Sequence, residues 1–437
     1  MRKFYGFGLL MLLSSMFFGV MTVAQTVTVD NIEYYCYYNN GRADLQNGKS
    51  ATGDVVIPAE VEYNGRKYRV TTISYGAFWN NTAITSVNIP ASVSEIGSSV
   101  FDGCTSLTSI TSNADTFEKI GDYPFDKTPW FDNLPAEGGL KYWKKWVIGT
   151  DLPDEAEDVH IKEGTIGMSI KSGSIRGKTL YMPKSLSKLD NTLDIRVEKM
   201  IVDTKNPTLF SDSSGAVYKK DGESMLYFDP RNGGYIYVKG QILYRMPTNS
   251  QANTYKVAEG TKALERCAGW GNNYESIIVP EGCEAVILQC FRDQKRCKYI
   301  ELPSTVNHFC LYYPGGASQL EVVLKAKKVP HTETGTFGFK GCKHVTLYVP
   351  KESLDKYLAD PNYNGKFKEI KAIPDDAPLK GDVNGDGKVN AADVTTVYNY
   401  IANPEATGLT LDKVDINGDG NINATDITDL YNIIQVE

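Results

Sequence analysis

The sequence predicts two fold classes in one chain: a β-rich solenoid of short parallel strands and irregular turns, followed by a small all-α domain with duplicated loop-helix motifs. Three observations predict this division. The middle of the chain repeats at an interval of 23 residues, short strands ending in proline recur along it, and a twelve-residue Asp/Asn/Gly pattern occurs twice near the C-terminus. A repeat unit of this length cannot bury its own apolar face, so stacked units must share one core.

Residues 1–24 are predicted to be a secretory signal peptide. Arg2 and Lys3 precede a long apolar run, and Thr22 and Ala24 place small residues just before the expected cleavage point. The run is also long enough to span a bilayer, so an uncleaved anchor stays open as the alternative. No other stretch is apolar enough to cross a membrane after cleavage. We therefore expect a secreted or cell-surface protein.

The charge distribution separates the C-terminal part of the chain from the rest. The 437 residues carry a net charge of −7, and residues 380–437 contain ten acidic residues against three lysines. The acidity therefore belongs to the C-terminal domain. Nothing in the pattern favours binding to nucleic acid or to an anionic membrane.

The solenoid is predicted to occupy residues 68–372, with a C-terminal closing segment. Residues 25–67 are rich in tyrosine and β-branched residues, and we expect their strands to cap the first repeat. The repeat pattern weakens over 130–270, and within this irregular middle residues 203–230 are expected to form hairpins with tight turns. Residues 373–380 contain two prolines and form an extended linker to the domain at 381–437.

The repeat is clearest where residues 73–78 align with residues 96–101. Alternate residues of a strand point to opposite faces of a sheet, so each strand should contribute one inward and one outward series. The inward series is Ile89, Met182, Val279, Leu302 and Val349. The outward ladder is Asn88, Tyr181, Ile278, Glu301 and Tyr348.

The segment 86–107, SVNIPASVSEIGSSVFDGCTSL, resembles the BspA-like leucine-rich repeats of bacterial surface proteins. The resemblance is strong over 65–125 and 275–372 and patchy over 130–270. It implies a leucine-rich-repeat solenoid that presents a face to a protein or glycan ligand. Adhesion is the role that the resemblance implies.

Eight cysteines and an aromatic segment each leave two interpretations open. The alignment places Cys283, Cys290 and Cys297 at inward positions, which favours free core thiols over disulfides. No C-x-x-C pair exists and the four histidines are scattered, which argues against zinc. The aromatic and basic segment 130–149 is either a ligand patch or, as we expect, an irregular repeat that buries its aromatic rings.

Each copy of the C-terminal pattern has the spacing of a twelve-residue calcium loop. A hard cation takes six to eight oxygens, and loop positions 1, 3, 5, 7, 9 and 12 supply them. In the first loop these are Asp382, Asn384, Asp386, Lys388 through its carbonyl, Asn390 and Asp393. In the second they are Asp415, Asn417, Asp419, Asn421 through its carbonyl, Asn423 and Asp426. Like charges in an empty loop repel, so we expect two calcium ions to drive folding of this domain.

A helix is predicted after each loop. One apolar face is formed by Val394, Val397, Tyr398 and Ile401, and the other by Ile427, Leu430, Tyr431 and Ile434. The duplicated loop-helix with Asp at position 12 resembles a type I dockerin, which implies calcium-dependent docking into a cohesin domain of a scaffold or surface protein. The partner-binding residues implied by the resemblance are Ala391, Ala392, Tyr398, Asn399, Asn403, Ala424, Thr425, Tyr431, Asn432 and Val436.

Two features leave the docking prediction open in detail. Ala-Ala and Ala-Thr stand where many dockerins carry a hydroxyl pair, which leaves the type of cohesin undecided. Tyr398 and Tyr431 also lie on the predicted apolar faces, so packing in the core is an alternative to partner contact.

Three functional hypotheses follow from this organisation. The first is an exported, non-catalytic binding or adhesion protein whose tail docks to a cohesin-bearing scaffold or cell surface. The second is a component of a polysaccharide-degrading assembly, as enzyme or accessory. The third is a tail that only stabilises its own solenoid. No nucleophile elbow, H-E-x-x-H motif or phosphate-binding loop is present, and we predict that the chain is not an enzyme.

Overall fold

The computed structural model describes residues 24–435, with gaps. The gaps are 155, 171–174, 190–192, 194, 230–233, 249–251, 288, 293, 295, 313–318, 333–338, 375–380, 387, 405–408, 410 and 418–419. The predicted signal peptide, apart from Ala24, and most of the predicted linker therefore lie outside the described residues. No helix in the described part of the chain is long and apolar enough to cross a bilayer.

One set of parallel sheets contains all the strands that the sequence marks with proline, together with unmarked strands of the intervening repeats. Successive strands pair in parallel at each repeat, so that Val87 aligns with Ile110 and Ile277 with Ile300. Because equivalent residues of consecutive repeats lie side by side, the sequence repeat becomes a spatial ladder. The strands of the three sheets are Gly53–Val56, Ile84–Ile89 and Ser109–Ser112; Ala156–His160, Ile175–Met182 and Ile195–Val202; and Thr254–Lys256, Ser276–Ile278, Tyr299–Leu302, Leu320–Leu324, Val345–Val349 and Glu369–Ala372.

A second set of sheets contains the shorter strand of each repeat. Its three sheets begin with antiparallel strands and continue in parallel. The strands are Ala24–Val29, Ile32–Tyr37, Arg42–Asn47, Glu60–Tyr63, Arg66–Ile73, Glu95–Ile96 and Lys119–Ile120; Ala136–Glu137, Leu140–Trp143, Trp146–Thr150, Gly167–Met168 and Lys188–Leu189; and Leu209–Ser211, Val217–Asp229, Gly234–Arg245, Thr261–Leu264, Ala285–Val286 and His308–Phe309. A two-stranded pair, Leu311–Tyr312 with Phe339–Lys340, completes the described strands.

A long hairpin interrupts the regular repeats in the middle of the solenoid. Strand Val217–Asp229 pairs with Gly234–Arg245 in antiparallel register, and the second strand then pairs in parallel with Thr261–Leu264. The hairpins expected for the irregular middle are thus present. The hairpin also closes over a separate apolar cluster that contains Leu226 and Val238.

The core lies between the two sets of sheets. Residues of the proline-marked strands, such as Ile89, and residues of the short strands, such as Ile96, are both fully buried in one cluster. All five residues of the predicted inward series are at most 3% exposed. Phenylalanine rings stack at the same turn of consecutive repeats, with 5.2 Å between the ring centroids of Phe78 and Phe101 and 5.9 Å between those of Phe101 and Phe125.

The turn before each stacked ring uses a left-handed backbone position. Gly76, Ser99 and Tyr123 occupy this position in three consecutive repeats, with φ values of 61°, 53° and 52°. In residues other than glycine, this conformation brings Cβ too close to the backbone, which costs about 1 kcal/mol or more. The repeat geometry therefore overrides local preference at two of the three turns.

Buried asparagines link neighbouring repeats by hydrogen bonds. The Asn81 amide donates to the carbonyl oxygens of Gly48 at 3.0 Å and Ala51 at 2.8 Å, and its oxygen accepts from the amide N–H of Ala83 at 2.8 Å. Asn206 makes the same kind of bridge to Pro183. These side chains satisfy turn carbonyls that the sheets leave unpaired.

The described helices are few and lie mainly in the C-terminal domain. Their bounds are Pro129–Asp132, Leu354–Ala359, Ala391–Ala402, Leu411–Val414 and Ala424–Gln435, with 3-10 turns at Cys342–His344 and Lys351–Ser353. The predicted fold class, a parallel-strand solenoid followed by a small helical domain, is confirmed. We refer to residues 381–435 as the tail.

Candidate functional site

The first predicted calcium loop is shaped by bonds from its side chains to its own backbone. The Asp382 carboxylate accepts from the N–H groups of Gly385 at 2.8 Å and Asp386 at 3.0 Å. Asp386 in turn accepts from the N–H of Lys388 at 2.9 Å. These short-range bonds curl the chain, so that loop positions 1, 3 and 5 lie along one tight turn.

The residue at position 12 closes the first loop and also caps the helix. Asp393 is fully buried, and one carboxylate oxygen accepts from the N–H groups of Val383 at 2.8 Å and Asn384 at 3.0 Å. The other oxygen accepts from the N–H of Asn390 at 2.9 Å, which completes a capping box on helix Ala391–Ala402. A negative charge here also interacts favourably with the helix dipole.

The second loop repeats these contacts where it is described. Asp426 is fully buried and accepts from the N–H groups of Asn417 at 3.3 Å and Asn423 at 2.9 Å. Gly420 at position 6 has a φ of 82°, the sharp turn expected there, and its N–H donates to Asp415 at 2.9 Å. Asp419 and the first-loop Gly387 lie outside the described residues. Asn421 is exposed beside the turn.

The donor chemistry of the loops fits a hard divalent cation. Position by position, the predicted ligands are carboxylate, amide and carbonyl oxygens, with no sulfur or imidazole. Within the described residues, no three His, Cys, Asp or Glu side chains converge closely enough to hold a metal ion.

The helices of the tail pack through a narrower stripe than the sequence predicted. Val394, Val397 and Leu430 are buried, but Tyr398 is 66% exposed and Tyr431 50% exposed. Core packing of these tyrosines is therefore wrong, and Ile401, which is also exposed, lies outside the core as well. Loop residues fill the space instead. Among the described residues of the tail, the buried apolar side chains are Val383, Val394, Val397, Val414, Ile416 and Leu430.

The partner-binding residues implied by the dockerin resemblance lie at the surface. They flank the exposed tyrosines on the two long helices, and none of the described members is buried. The exposed residues are Ala391, Ala392, Asn399, Asn403, Ala424, Thr425 and Asn432. Val436 lies outside the described residues.

A hydrogen bond joins the tail to the solenoid. The Lys256 ammonium, on strand Thr254–Lys256, donates to the backbone carbonyl of Asn417 in the second loop. Asn417 is half-buried, whereas Asn384, its counterpart in the first loop, is exposed. The two loops of the tail are therefore not in equivalent surroundings.

The predicted outward ladder follows the register of the last solenoid sheet. Ile278, Glu301 and Tyr348 lie at equivalent places on paired strands and are half-buried. Glu301 accepts from the Tyr299 hydroxyl at 2.8 Å and from Lys325 at 2.6 Å. This surface is polar, and its charges are largely paired with one another.

The aromatic segment 130–149 packs inward. Trp143 and Trp146 are buried, and the Trp143 ring lies edge-on to Phe125 with 5.1 Å between centroids. The Trp146 indole N–H donates to the carbonyl oxygen of Phe117 at 3.0 Å. The expected irregular repeat with buried rings is what the structure shows, in place of a ligand patch.

The cysteines are core residues, but the histidines are not all scattered. All eight cysteines are free and buried, and burial raises the pKa of Cys283 to about 12. His308 and His331 lie one repeat apart, with 3.3 Å between their Nδ1 atoms. The pKa of His308 is lowered to about 4, mainly because its ring is desolvated by burial and secondarily by electrostatic interaction with His331. The 23-residue offset between these histidines is the sequence signal that could have revealed the pair.

Sequence reasoning also missed a surface depression near the N-terminus. It is lined by Tyr37, Asn39, Asn40, Arg42 and Asp44. The tyrosine- and asparagine-rich run at 34–40 is the signal that could have indicated it.

Comparison with known families agrees with this architecture. Residues 67–148 match the BspA type leucine-rich repeat region in six copies, and residues 380–435 match the dockerin type I domain. Both predicted resemblances are confirmed. Domains of these two kinds are non-catalytic, and type I dockerins bind calcium. Among curated proteins, none matches the chain.

Similar solved structures are bacterial repeat proteins. A leucine-rich repeat protein from Eubacterium ventriosum is 16% identical with a TM-score of 0.40, over 81% of this chain and 86% of that chain. A leucine-rich cell surface protein from Faecalibacterium prausnitzii is 17% identical with a TM-score of 0.33, over 80% and 95%. A leucine-rich repeat protein from Bacteroides ovatus is 15% identical with a TM-score of 0.25, over 79% and 100%.

Proposed function

We propose that this chain, which carries BspA-type repeats and a type I dockerin domain, is an exported, non-catalytic binding or adhesion protein. Its solenoid binds a protein or glycan ligand, and its calcium-loaded tail docks to a cohesin domain of a scaffold or cell surface. The observation that carries the docking proposal is the exposure of Tyr398 and Tyr431 beside the residues that the dockerin resemblance marks for partner contact. Large aromatic side chains left outside a small core are typical of interfaces.

The proposal places one calcium ion in each of the two loops. The first ion would be held by Asp382, Asn384, Asp386, the Lys388 carbonyl, Asn390 and Asp393. The second would be held by Asp415, Asn417, Asp419, the Asn421 carbonyl, Asn423 and Asp426. Neutralising the clustered carboxylates would stiffen the loops from which both long helices start. The exposed faces of the helices would then be presented to the partner in a fixed arrangement.

Localisation outside the cytoplasm agrees with both domain types, which are typically extracellular or surface-bound. Cleavage of residues 1–24 as a signal peptide is part of the proposal. The division into a cap at 25–67, a solenoid at 68–372, a linker at 373–380 and a docking domain at 381–437 is part of it as well. The cohesin type, and whether the assembly degrades polysaccharide, depend on the partner.

The docking proposal is tested with the purified mature chain and a panel of purified type I cohesin domains. We expect capture in calcium and its loss in chelator. The double variant Tyr398→Ala with Tyr431→Ala should lower affinity at least tenfold, about 1.4 kcal/mol, while Tyr235→Ala, an exposed tyrosine on the solenoid hairpin, should leave it unchanged. Equal capture with and without calcium would contradict the proposal, and so would no capture by any cohesin.

A structural role for the tail is the second candidate, because Lys256 contacts Asn417. If this contact holds the tail on the solenoid, Lys256→Gln should lower the midpoint of tail unfolding and also disturb the solenoid transition. The control is Lys239→Gln, whose ammonium pairs with Glu223 on the exposed hairpin. An unchanged solenoid transition in Lys256→Gln would remove this candidate.

A further inference from the structure

A threonine hydroxyl joins two predicted ligand side chains of the second calcium loop. The hydroxyl of Thr425, at loop position 11, accepts from the side-chain amide of Asn417 at position 3, with 2.9 Å between Oγ1 and Nδ2. The same hydroxyl donates to Oδ1 of Asn423 at position 9, at 2.8 Å. Asn417 is half-buried, whereas Thr425 and Asn423 are exposed. The three side chains therefore form one series of hydrogen bonds across the loop.

The direction of these hydrogen bonds follows from the protons that are available. Oδ1 of Asn423 also accepts from the backbone N–H of Thr425 at 2.9 Å, so the amide atom that faces Thr425 must be the oxygen. A hydroxyl group has a single proton. Because Thr425 donates that proton to Asn423, its oxygen can only accept from Asn417. The amide nitrogen of Asn417 must therefore face Thr425, and its Oδ1 is directed away from the hydroxyl.

The orientation of the Asn417 amide bears on calcium binding. Position 3 of a calcium loop supplies a side-chain oxygen, whereas the nitrogen of an asparagine amide carries two protons and is only a donor. Holding the nitrogen on Thr425 removes the unproductive orientation before an ion arrives. Fixing a group in its bound orientation lowers the entropy cost of binding.

The first loop is arranged differently at the same positions. Ala392 stands at position 11 and has no hydroxyl. Both ends of the Asn384 amide bond to Asp386 instead: Oδ1 accepts from its backbone N–H at 2.8 Å, and Nδ2 donates to its carboxylate at 3.2 Å. The amide nitrogen at position 3 therefore lies against the predicted ligand at position 5. An ion that takes Asp386 as a ligand has to compete with this bond.

We propose that Thr425 is a positioning residue for the second calcium site. It acts through Asn417, by holding the amide nitrogen so that the oxygen is available to the loop. The inference rests on the proposed binding of one calcium ion by each loop. It gives Thr425, which the dockerin resemblance marks for partner contact, a role within its own loop. Ala392 cannot play this role in the first loop.

The test is a calorimetric titration of the calcium-free mature chain with calcium chloride. Asp382→Asn and Asp415→Asn, each of which alters position 1 of one loop, assign the two binding events to their sites. Thr425→Val keeps the shape of the side chain but removes the hydroxyl. We expect it to weaken the second site about fivefold and to leave the first unchanged. Thr425→Ser retains the hydroxyl and should bind calcium as the parent does.

A matched control and a converse variant use other positions of the tail. Thr428 lies on the same helix, and its hydroxyl donates to the carbonyl of Ala424 at 3.0 Å, so Thr428→Val should leave both sites unchanged. Ala392→Thr places a hydroxyl at position 11 of the first loop and should strengthen the first site about threefold. This variant tests the same claim without removing any group. Circular dichroism at saturating calcium establishes that each variant folds.

Two outcomes would overturn the inference. The first is an unchanged affinity of the second site in Thr425→Val, or of the first site in Ala392→Thr. The second is an equal loss in Thr425→Val and Thr428→Val, which would assign the effect to the helix rather than to the hydroxyl. Both would leave calcium binding, and with it the proposed function, standing. A mature chain that takes up no calcium would instead contradict the proposed function itself.

Discussion

The solenoid and the tail bury their apolar residues in different ways. In the C-terminal repeats one continuous cluster runs from Ala216 to Phe367. The tail buries fully only six apolar side chains among its described residues, and it also buries the carboxylates Asp393 and Asp426. Repeats that share a core gain stability from each neighbour, whereas a domain of this size usually needs a metal or another constraint. We therefore expect the solenoid to hold its shape without ions and the tail to depend on calcium.

The largest effect should come from the stacked rings of the solenoid. Phe101→Ala removes the middle ring between Phe78 and Phe125, and we expect a loss of about 3–5 kcal/mol in the free energy of unfolding, measured by urea denaturation. Phe101→Leu keeps most of the volume and should cost less than about 1.5 kcal/mol. The tail transition should be unaffected by either change. A parallel loss in the tail would mean that the two regions unfold as one unit.

Lowering the pH should reduce the free energy of unfolding of the solenoid. His308 is 1% exposed, and its pKa is lowered to about 4. The unfolded chain takes up the proton first, near pH 6.5, so stability present above that pH is lost as the pH falls toward 4. The loss is at most about 3–4 kcal/mol, since one pKa unit corresponds to about 1.4 kcal/mol.

His308→Gln carries no titrating group at this place and should flatten the pH profile of the solenoid transition. Cys310 and His331 contact His308 and remain in the variant. An unchanged slope between pH 7 and pH 5 in chelator would assign the acid sensitivity to other groups.

A smaller effect should come from the asparagine bridge between repeats. Asn81→Ala removes the amide donor from the carbonyl of Ala51 and one of two donors from the carbonyl of Gly48, which keeps the N–H of Ala51. We expect a loss of about 1–3 kcal/mol by urea denaturation. The neighbouring exposed Thr82 provides the control, because Thr82→Ala should be nearly neutral. If Asn81→Ala were equally neutral, water would have to replace the bridge.

The smallest effect should be a gain in stability. Ser99→Gly relieves the left-handed position of its turn, where φ is 53°, and we expect about 0.5 kcal/mol of stabilisation after the entropy cost of glycine. The reverse change, Gly76→Ser at the equivalent turn, should destabilise the solenoid by about 1 kcal/mol. Thermal unfolding measures both, and a destabilising Ser99→Gly would show that the serine hydroxyl holds the turn.

Much of the solenoid follows from sequence periodicity. The 23-residue offset places Ile89 and Leu302 in the core because parallel strands align equivalent residues, and the structure buries both. The same offset separates His308 from His331, but no composition rule singled out this spacing. The depression lined by Tyr37 depends on how two strands and the turn between them lie in space, which a linear pattern does not contain.

Prediction was less accurate in the tail, for a different reason. A helical period identifies an apolar stripe but not how much of it a partner helix covers. Val397 and Tyr398 are neighbours on that stripe, yet one is buried and the other exposed, because loop residues such as Val383 occupy the remaining core. The structure shows Asp393 accepting from the backbone N–H groups of Val383, Asn384 and Asn390, while the set of calcium ligands read from the loop spacing stays a prediction.

The most direct test of the comparison is thermal unfolding of the mature chain, monitored by calorimetry in calcium and in chelator. At a calcium concentration 100 times Kd, each independent site should stabilise the tail by about 2.7 kcal/mol. The account predicts two transitions, of which only the tail transition shifts on chelation. Asp393→Asn should remove the contribution of the first site, about half of that shift, and Lys388→Ala should not. If both transitions shifted together, or neither did, the division into an ion-independent solenoid and a calcium-dependent tail would be contradicted.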